Sequence, residues 1–587
     1  MLWTICLILG IIIAAGAAFY AAYIARNKRS RIRGLQPIHV LIGGCFLAAV
    51  MLQIPVLRYE AEQAGGDVLK GIILSLHSTL QIFTLNSDRN IILESIGLAH
   101  PRMSAMYSTL LGLLFTVTPL LTFGFLLSFF RNASSRMRYR IHRFADVYVF
   151  SCLNEKALCL AEDLRKNHLK AVIAFTGVPA EAGDEPLSAE ARALDAICFR
   201  ENILSIPFYR HSPRAEICFF LTGEDETANA AAALALIGTY RKREHTGLYL
   251  FSAGMESEMI LSMADPGAMR IRRVNEGRSL VYQMLYDEGY RLFETAGKPG
   301  GNGRRRIGAV IVGLDAVGTE MARALTWFGQ MDGYEIGIHV FDRDEKAEDR
   351  FRAVCPGLAD TAHNGALREG GALFDLTIHG GADPETGSFI ESVTALKDTT
   401  CVLVTLENSA QSIQTAIRLR TAFERAGIHP MILAMTGKTG ENRTLTGAAT
   451  PGGIPYDIVF IDEGRYCCSE RGILHSEAEK EALEIHLRWG KERDFWTYEY
   501  NYRSSMAAVI HRKAWENCLA PGKAADAAAE RERLSRQEHR RWSAYMLSEG
   551  YVYGETRNDL AKTHPDLVDY DGLTRETREK DSRIVDR

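Results

Sequence analysis

Residues Leu2 to Ala25 carry no charge and are followed at once by Arg26, Lys28, Arg29, Arg31 and Arg33. An uncharged apolar run of that length is enough for a helix to cross a bilayer, and the basic flank marks its cytoplasmic end. A cleaved leader would put its positive charge before the apolar run and a small-residue cleavage site after it, so a retained anchor is expected. Leu35 to Leu57 reads as a second span and Met106 to Phe130 as a third, closed by Arg131, Arg136, Arg138, Arg140 and Arg143. The positive-inside rule then puts the N-terminus outside and everything after about residue 131 in the cytoplasm. Residues 1–143 form the expected transmembrane region, with spans at about 2–25, 35–57 and 106–130 and the lipid bilayer as a partner.

Between the second and third spans, Gly71 to Thr84 is apolar but too short to cross, which implies a re-entrant or interfacial helix over 71–84. Potassium channels place a short pore helix there, with a Gly-rich filter behind it. Here Leu85-Asn86-Ser87-Asp88-Arg89 follows, without glycine, so the arrangement hints at a pore and lacks that filter. His39 and His77 are expected at membrane depth, as functional groups or as polar packing contacts.

At 587 residues the chain is long enough for several domains. A net charge of −4 argues against nucleic acid as a partner, and 11 cysteines without a C-x-x-C give neither a zinc site nor a disulfide framework. Strands alternating with helices from Asp146 onward imply parallel, doubly wound sheets. In the first region, 144–297, strands read at Asp146–Ser151, Lys170–Val178, Glu216–Leu221 and Gly247–Phe251, with a helix at Glu226–Tyr240. Its order and its closing segment Ile271–Leu280 resemble the RCK or TrkA-type Rossmann regions of potassium-transport regulators. Its first turn, Ser151-Cys-Leu-Asn-Glu-Lys156, lacks the glycines a dinucleotide requires, so a degenerate Rossmann shape is expected.

A Gly-, Lys- and Arg-rich linker, Lys298–Arg306, leads to a second Rossmann-like region, 307–475. There Ile307–Val312 is a strand, Gly313-Leu-Asp315-Ala-Val-Gly318 turns into a helix, and a second strand ends at Asp342, where a ribose-binding carboxylate sits in such folds. Gly313, Gly318 and Asp342 are the weak cofactor-binding candidates. Asp315 replaces the middle fingerprint glycine and would repel a pyrophosphate. Further strands at Leu373–Ile378, Val402–Leu406, Met431–Met435 and Asp457–Ile461 complete about six. A helical and aromatic connector, 476–525, follows. Its Tyr498, Tyr500 and Tyr502 alternate as in an extended segment with one aromatic face, a helix is expected at Met506–Trp515, and Pro521–Glu530 reads as an Ala-rich linker.

The tail, 526–587, contains Leu534-Ser-Arg-Gln-Glu-His539-Arg-Arg-Trp542, then Gly550-Tyr-Val-Tyr553-Gly554, then Thr563-His564-Pro565-Asp-Leu567. His539, Trp542 and Met546 share one helical face, and Gly550 is placed to cap its C-terminus. Such an aromatic stripe serves either as core or as a pocket in which Trp542 and Tyr553 stack on a base while His539, Arg540, Arg541 and His564 donate to phosphate. The string resembles the ryanodine-receptor repeat (RyR) domain, a small, mostly helical module. That resemblance implies a nucleotide-type small-molecule ligand bound through His539, Arg540, Trp542, Tyr553 and His564, and a setting in antiphage defence. The cofactor is unknown, with a nucleotide or NAD-related ligand the expectation.

There is no nucleophile elbow, Walker loop, H-E-x-x-H or paired-His motif, so neither catalytic nor metal residues are expected, and a non-enzyme is the reading. The fold class is a membrane α-helical region plus α/β: two doubly wound parallel-sheet domains and a small helical tail. Two functions fit it. One is a ligand-responsive membrane sensor or effector, forming a homo-oligomer if its few spans line a pore. The other is an NAD(P)- or nucleotide-sensing regulator of potassium or other ion transport.

Overall fold

The computed structural model describes residues 2–26, 37–63, 68–83, 96–98, 102, 104–133, 135–179, 186–359, 373–406, 408–436, 449–518 and 527–586. They fall into two compact units, Met1–Ile141 and His142–Arg587. The segment Leu85–Arg89, the basic residues Lys28–Arg33, the side chain of His39 and the linker residues 521–526 lie outside the described residues.

The first unit is a helical bundle of Leu2–Arg26, Pro37–Gln63, Val68–Phe83 and Ser104–Ala133. Among the described residues, two stretches, Leu2–Ala22 and Ala105–Phe123, are long and apolar enough to cross a membrane. The expected second span, 35–57, lies in a helix whose apolar part is only Val40–Val56, because that helix runs on through Arg58 and Glu62. The expected short helix at 71–84 is found as Val68–Phe83, where His77 is exposed and bonds Gln81 at 3.2 Å. Ile8, Ile12, Phe19, Leu120 and Phe123 are exposed on this bundle, an apolar outer surface of the kind lipid covers. Inside, Gly44 meets Ala17, so the first two helices approach closely. Tyr107 donates to the Trp3 carbonyl at 2.7 Å, and Gln53 donates to Thr79 at 3.3 Å with both side chains fully buried.

The second unit contains two six-stranded sheets, β1–β6 (Val147–Phe150, Val172–Phe175, Ile197–Cys198, Ile217–Leu221, Thr246–Phe251, Arg270–Val274) and β7–β12 (Arg305–Val312, Tyr334–Phe341, Asp375–His379, Thr399–Val404, Met431–Thr436, Ile458–Asp462). Every strand pair in both sheets is parallel, and each sheet runs in the order third-second-first-fourth-fifth-sixth, the Rossmann topology. The central strands are continuous apolar runs, such as Val147–Phe150 and Ile217–Leu221, as expected of parallel strands covered on both faces, whereas the edge strands β6 and β9 carry charged residues. Phe150 stacks with Phe175 at 5.1 Å and with Phe220 at 4.9 Å, and Phe220 with Tyr249 at 5.0 Å, so one aromatic row crosses β2, β1, β4 and β5.

Three local expectations are corrected. The alternating tyrosines do not lie in an extended segment: Glu499–Cys518 is one helix, preceded by Glu492–Thr497, with Tyr498 the single extended residue between them. Burial decided against the alternation, since Tyr502 donates to Glu479 at 2.7 Å and Tyr500 meets Met546 at 3.4 Å from the helix surface. The Ala-rich linker shortens, because Ala527–Glu530 is already the first turn of the helix Ala527–Ser548, as the high helix propensity of alanine favours. Arg305 and Arg306 belong to β7 and not to the linker, Arg306 being fixed by Asp398 at 2.6 Å and Asp375 at 3.1 Å.

A single hydrophobic cluster runs from Phe150 and Phe220 through Tyr282, Trp327 and Val509 to Tyr545 and Leu567. The two sheets, the connector and the tail therefore share one core.

Candidate functional site

The helix Ala527–Ser548 is almost wholly buried along its second half, and its ends are fixed to its neighbours by polar contacts. Gly550 has a φ of +85° and terminates it, with Tyr551 N–H bonding the Met546 carbonyl at 2.9 Å. Arg533 reaches Asp332 at 3.0 Å and Gln537 accepts the Asp332 N–H at 3.0 Å, seating the helix on the turn before β8.

His539 is 3% exposed, with Nε2 2.8 Å from the Val568 carbonyl and Nδ1 3.2 Å from Asp581. Burial alone would lower its pKa, but the bond and charge of Asp581 outweigh burial and raise it. Its ring stacks on Trp542 at 5.7 Å, and Trp542 meets His564 edge-on at 5.0 Å. Tyr553 is 47% exposed and pairs with His564 across the two short parallel strands β13 (Val552–Tyr553) and β14 (Thr563–His564). The fold thus brings His539, Trp542 and His564 into one aromatic cluster with Tyr553 at its open edge. Arg541 does not join them: it is 1% exposed and paired with Glu538 at 2.8 Å.

Residues 524–587 match the RyR domain family. No curated protein matches the chain. The RyR domain holds a cavity of about 170 Å³ against the second sheet's layer, lined in part by His539, Arg540, Arg533, Arg536, Ser543 and Tyr570. Arg533 and Arg536 are neutralised, by Asp332 and Glu530 and by Asp571, whereas Arg540 donates to the neutral Gln330 side chain at 3.4 Å and makes no ion pair among the described residues. Burial and the charge of Arg304 lower the Arg540 pKa against the opposing charge of Asp332. Ser543, 1% exposed on the same wall, has no hydrogen-bond partner for its Oγ among the described residues. An anionic group with an acceptor oxygen would satisfy both. Trp542, Tyr553 and His564 do not line this cavity, so the five expected residues divide between an aromatic cluster and a cationic cavity that meet at His539. Arg533, Arg536 and Ser543 went unremarked as site residues in the sequence, although their i, i+3, i+7 and i+10 relation to Arg540 and to one another marks one helix face.

The second sheet offers a larger cleft of about 620 Å³ at the C-terminal ends of β7, β8 and β10, where Rossmann ligands bind. Gly313 adopts φ +100° with its α-carbon against the Thr405 carbonyl, a position only glycine fits. Asp315 caps the following helix, accepting from Gly318 N–H at 2.8 Å and from Thr405 Oγ1 at 2.7 Å. Its carboxylate thus holds the helix N-terminus that a pyrophosphate would use. Asp342 bonds the Leu314 N–H at 2.7 Å and the Asp344 N–H at 2.8 Å, bracing the same turn. In the first sheet, Asn154 caps the equivalent helix through Ala157 N–H at 2.9 Å, and Lys156 is paired with Glu276 at 3.0 Å.

Glu549, one residue beyond the RyR helix, was not legible as important. It accepts from Arg503 at 2.7 Å and Arg323 at 2.8 Å. Arg323 bonds Glu320 at 2.9 Å, which bonds Arg278 at 3.0 Å; Arg503 bonds Glu258 at 2.9 Å, which bonds Arg273 of β6 at 3.2 Å. A buried chain of charges runs from the RyR domain into the layers of both sheets.

Proposed function

We propose that this chain is a non-enzymatic, membrane-bound sensor in which the RyR domain binds a nucleotide-type signal and the paired Rossmann-like sheets pass its occupancy to the N-terminal helices. The observation that carries this reading is the ion network anchored on Glu549. A ligand wedged beside Arg540 shifts the RyR helix, and Glu549 at that helix's end is bonded to arginines that reach both sheets. Such coupling requires the ligand to bind one arrangement of the network better than another. The exposed Tyr553 ring at the edge of the aromatic cluster and the Arg540 cavity, which meet at His539, favour a ligand with a base and a phosphate. The helices Leu2–Arg26, Pro37–Gln63 and Ser104–Ala133 cross a bacterial inner membrane, N-terminus outside and the two sheets in the cytoplasm, and a homo-oligomer around an axis makes the membrane effect. An antiphage effector is the setting favoured by the RyR resemblance. The test is a thermal-shift series on the full chain in detergent with mono-, di- and cyclic nucleotides, followed by ion flux from liposomes with the active compound. A ligand-induced shift lost in Arg540→Ala and Tyr553→Ala supports the reading; no shift with any nucleotide defeats it.

The 620 Å³ cleft supports a second reading, an NAD(P)- or nucleotide-sensing regulator of potassium or other ion transport. Its mark is a dinucleotide response that survives Arg540→Ala and disappears in Asp342→Asn.

A further inference from the structure

His168, Glu470 and His475 bring three metal-ligating atoms within 4.8 Å of one another, although some 300 residues of chain separate the first from the others. His168 ends the helix Glu155–Asn167 of the first sheet's layer. Glu470 and His475 flank the short helix Glu470–Ile473, which follows β12 of the second. Both imidazoles turn Nε2 toward the same carboxylate oxygen, Oε1, His168 at 2.8 Å and His475 at 3.4 Å.

The surroundings fit a metal better than a simple hydrogen-bonded trio. Asn167 donates to the other carboxylate oxygen, Oε2, at 2.7 Å, and Asp163 accepts the Glu470 N–H at 2.9 Å. The carboxylate is therefore oriented by outside partners and presents one oxygen to two nitrogens, the arrangement of a second shell that aims a ligand. The Tyr148 ring packs against the His168 imidazole at 5.5 Å and restricts its rotation. Zinc bound by two imidazoles and a carboxylate at about 2.0–2.2 Å places those donors roughly 3.4 Å apart in a tetrahedron. His475 already stands at 3.4 Å from Oε1, His168 opens from 2.8 Å, and the three ligand atoms, which lie within 4.8 Å of one another, close onto the ion by rotation of the exposed His475 side chain. An adjoining cavity of about 430 Å³, with Glu470 and His475 in its wall, leaves room for water as the fourth ligand.

We propose that His168, Glu470 and His475 bind a divalent transition metal of the zinc class, which fastens the layer of the first sheet to the segment leaving the second. The ion is compact and needs deprotonated ligands, so its binding stabilises this contact and no other.

The full chain, purified in detergent and stripped with chelator, is titrated with ZnCl2 by calorimetry, and metal content is measured after desalting. One equivalent per chain is expected, with a raised melting temperature and, for Co2+ in its place, the visible d–d bands of a tetrahedral site. His475→Ala, a change at an exposed side chain that leaves the core untouched, removes that equivalent, and His168→Gln does the same. Asn167→Ala keeps the ligands and weakens binding about 10–100-fold. Zinc uptake equal in wild type, His475→Ala and His168→Gln, or no saturable uptake at all, overturns the proposal and leaves Glu470 as a hydrogen-bond acceptor.

Discussion

The Glu549 carboxylate and the Arg503 guanidinium meet at 2.7 Å with both side chains only 9% exposed, at the point where the RyR helix ends and the connector helix passes beneath it. Burial alone would raise the Glu549 pKa, but the charges of Arg503, Arg323 and Arg278 outweigh it and hold the group at about 2. Its contribution to stability is present above the ordinary carboxylate value of 4.5 and is lost as pH falls toward about 2. Glu549→Gln leaves buried arginines uncompensated and is expected to cost about 3–5 kcal/mol near neutral pH, with a smaller deficit in acid. Denaturant unfolding followed at several pH values measures this.

Two buried histidines pull in opposite directions. His511, whose Nε2 lies 3.0 Å from the Gln330 carbonyl, is pushed down to about 3 by burial and by the charge of Arg541. The unfolded chain binds this proton first, so stability falls as pH drops from 6.5 toward about 3, by at most about 1.4 kcal/mol per pH unit. His511→Gln flattens that slope. The His539 pKa is raised, so its contribution is complete below 6.5 and is lost as pH rises through the folded value. His539→Gln therefore loses more stability at mildly acidic than at alkaline pH, and comparing the two variants' profiles shows the opposite signs.

Trp542 and Tyr553 separate packing from recognition. Trp542→Ala removes a ring wedged between His539 and His564 and is expected to cost about 3 kcal/mol by thermal or chemical unfolding. Tyr553 is half exposed, and Tyr553→Ala is expected to stay within about 0.5 kcal/mol of wild type. If a base stacks there, the same variant weakens ligand binding about 5–150-fold, the equivalent of about 1–3 kcal/mol.

Gly313→Ala is expected to destabilise the fold with no ligand present, by about 2 kcal/mol or more, since it combines a φ of +100° with a collision against the Thr405 carbonyl. A melting curve of the ligand-free variant checks this. A loss of nucleotide response in that variant consequently says little about a cofactor site, whereas Asp342→Asn with unchanged melting does.

Strands and helices were legible where the strands are apolar runs, and the helix Glu226–Tyr240 has the bounds its sequence pattern gives, whereas the two-residue β3 and the arginine-rich β6 of the first sheet were not read as strands. The tail was legible from separated short motifs, and its helix cap at Gly550 follows from backbone geometry alone. Tyr498, Tyr500 and Tyr502 misled because alternation in three residues carries less weight than the burial of two of them against Glu479 and Met546. Glu549 and the group around Glu470 were invisible for a different reason. Their meaning comes from partners 46 to 307 residues away, and no local spacing records such a meeting.

The cap formed by Asp315 has a consequence for how the second sheet behaves in a cell. A Rossmann turn that waits for a dinucleotide gains stability only in proportion to the ligand's supply, following mass action. Here the anion is covalently part of the chain, always at hand for Gly318 and Thr405. The turn is thus held by its own side chain, and its shape is expected not to depend on a ligand's supply.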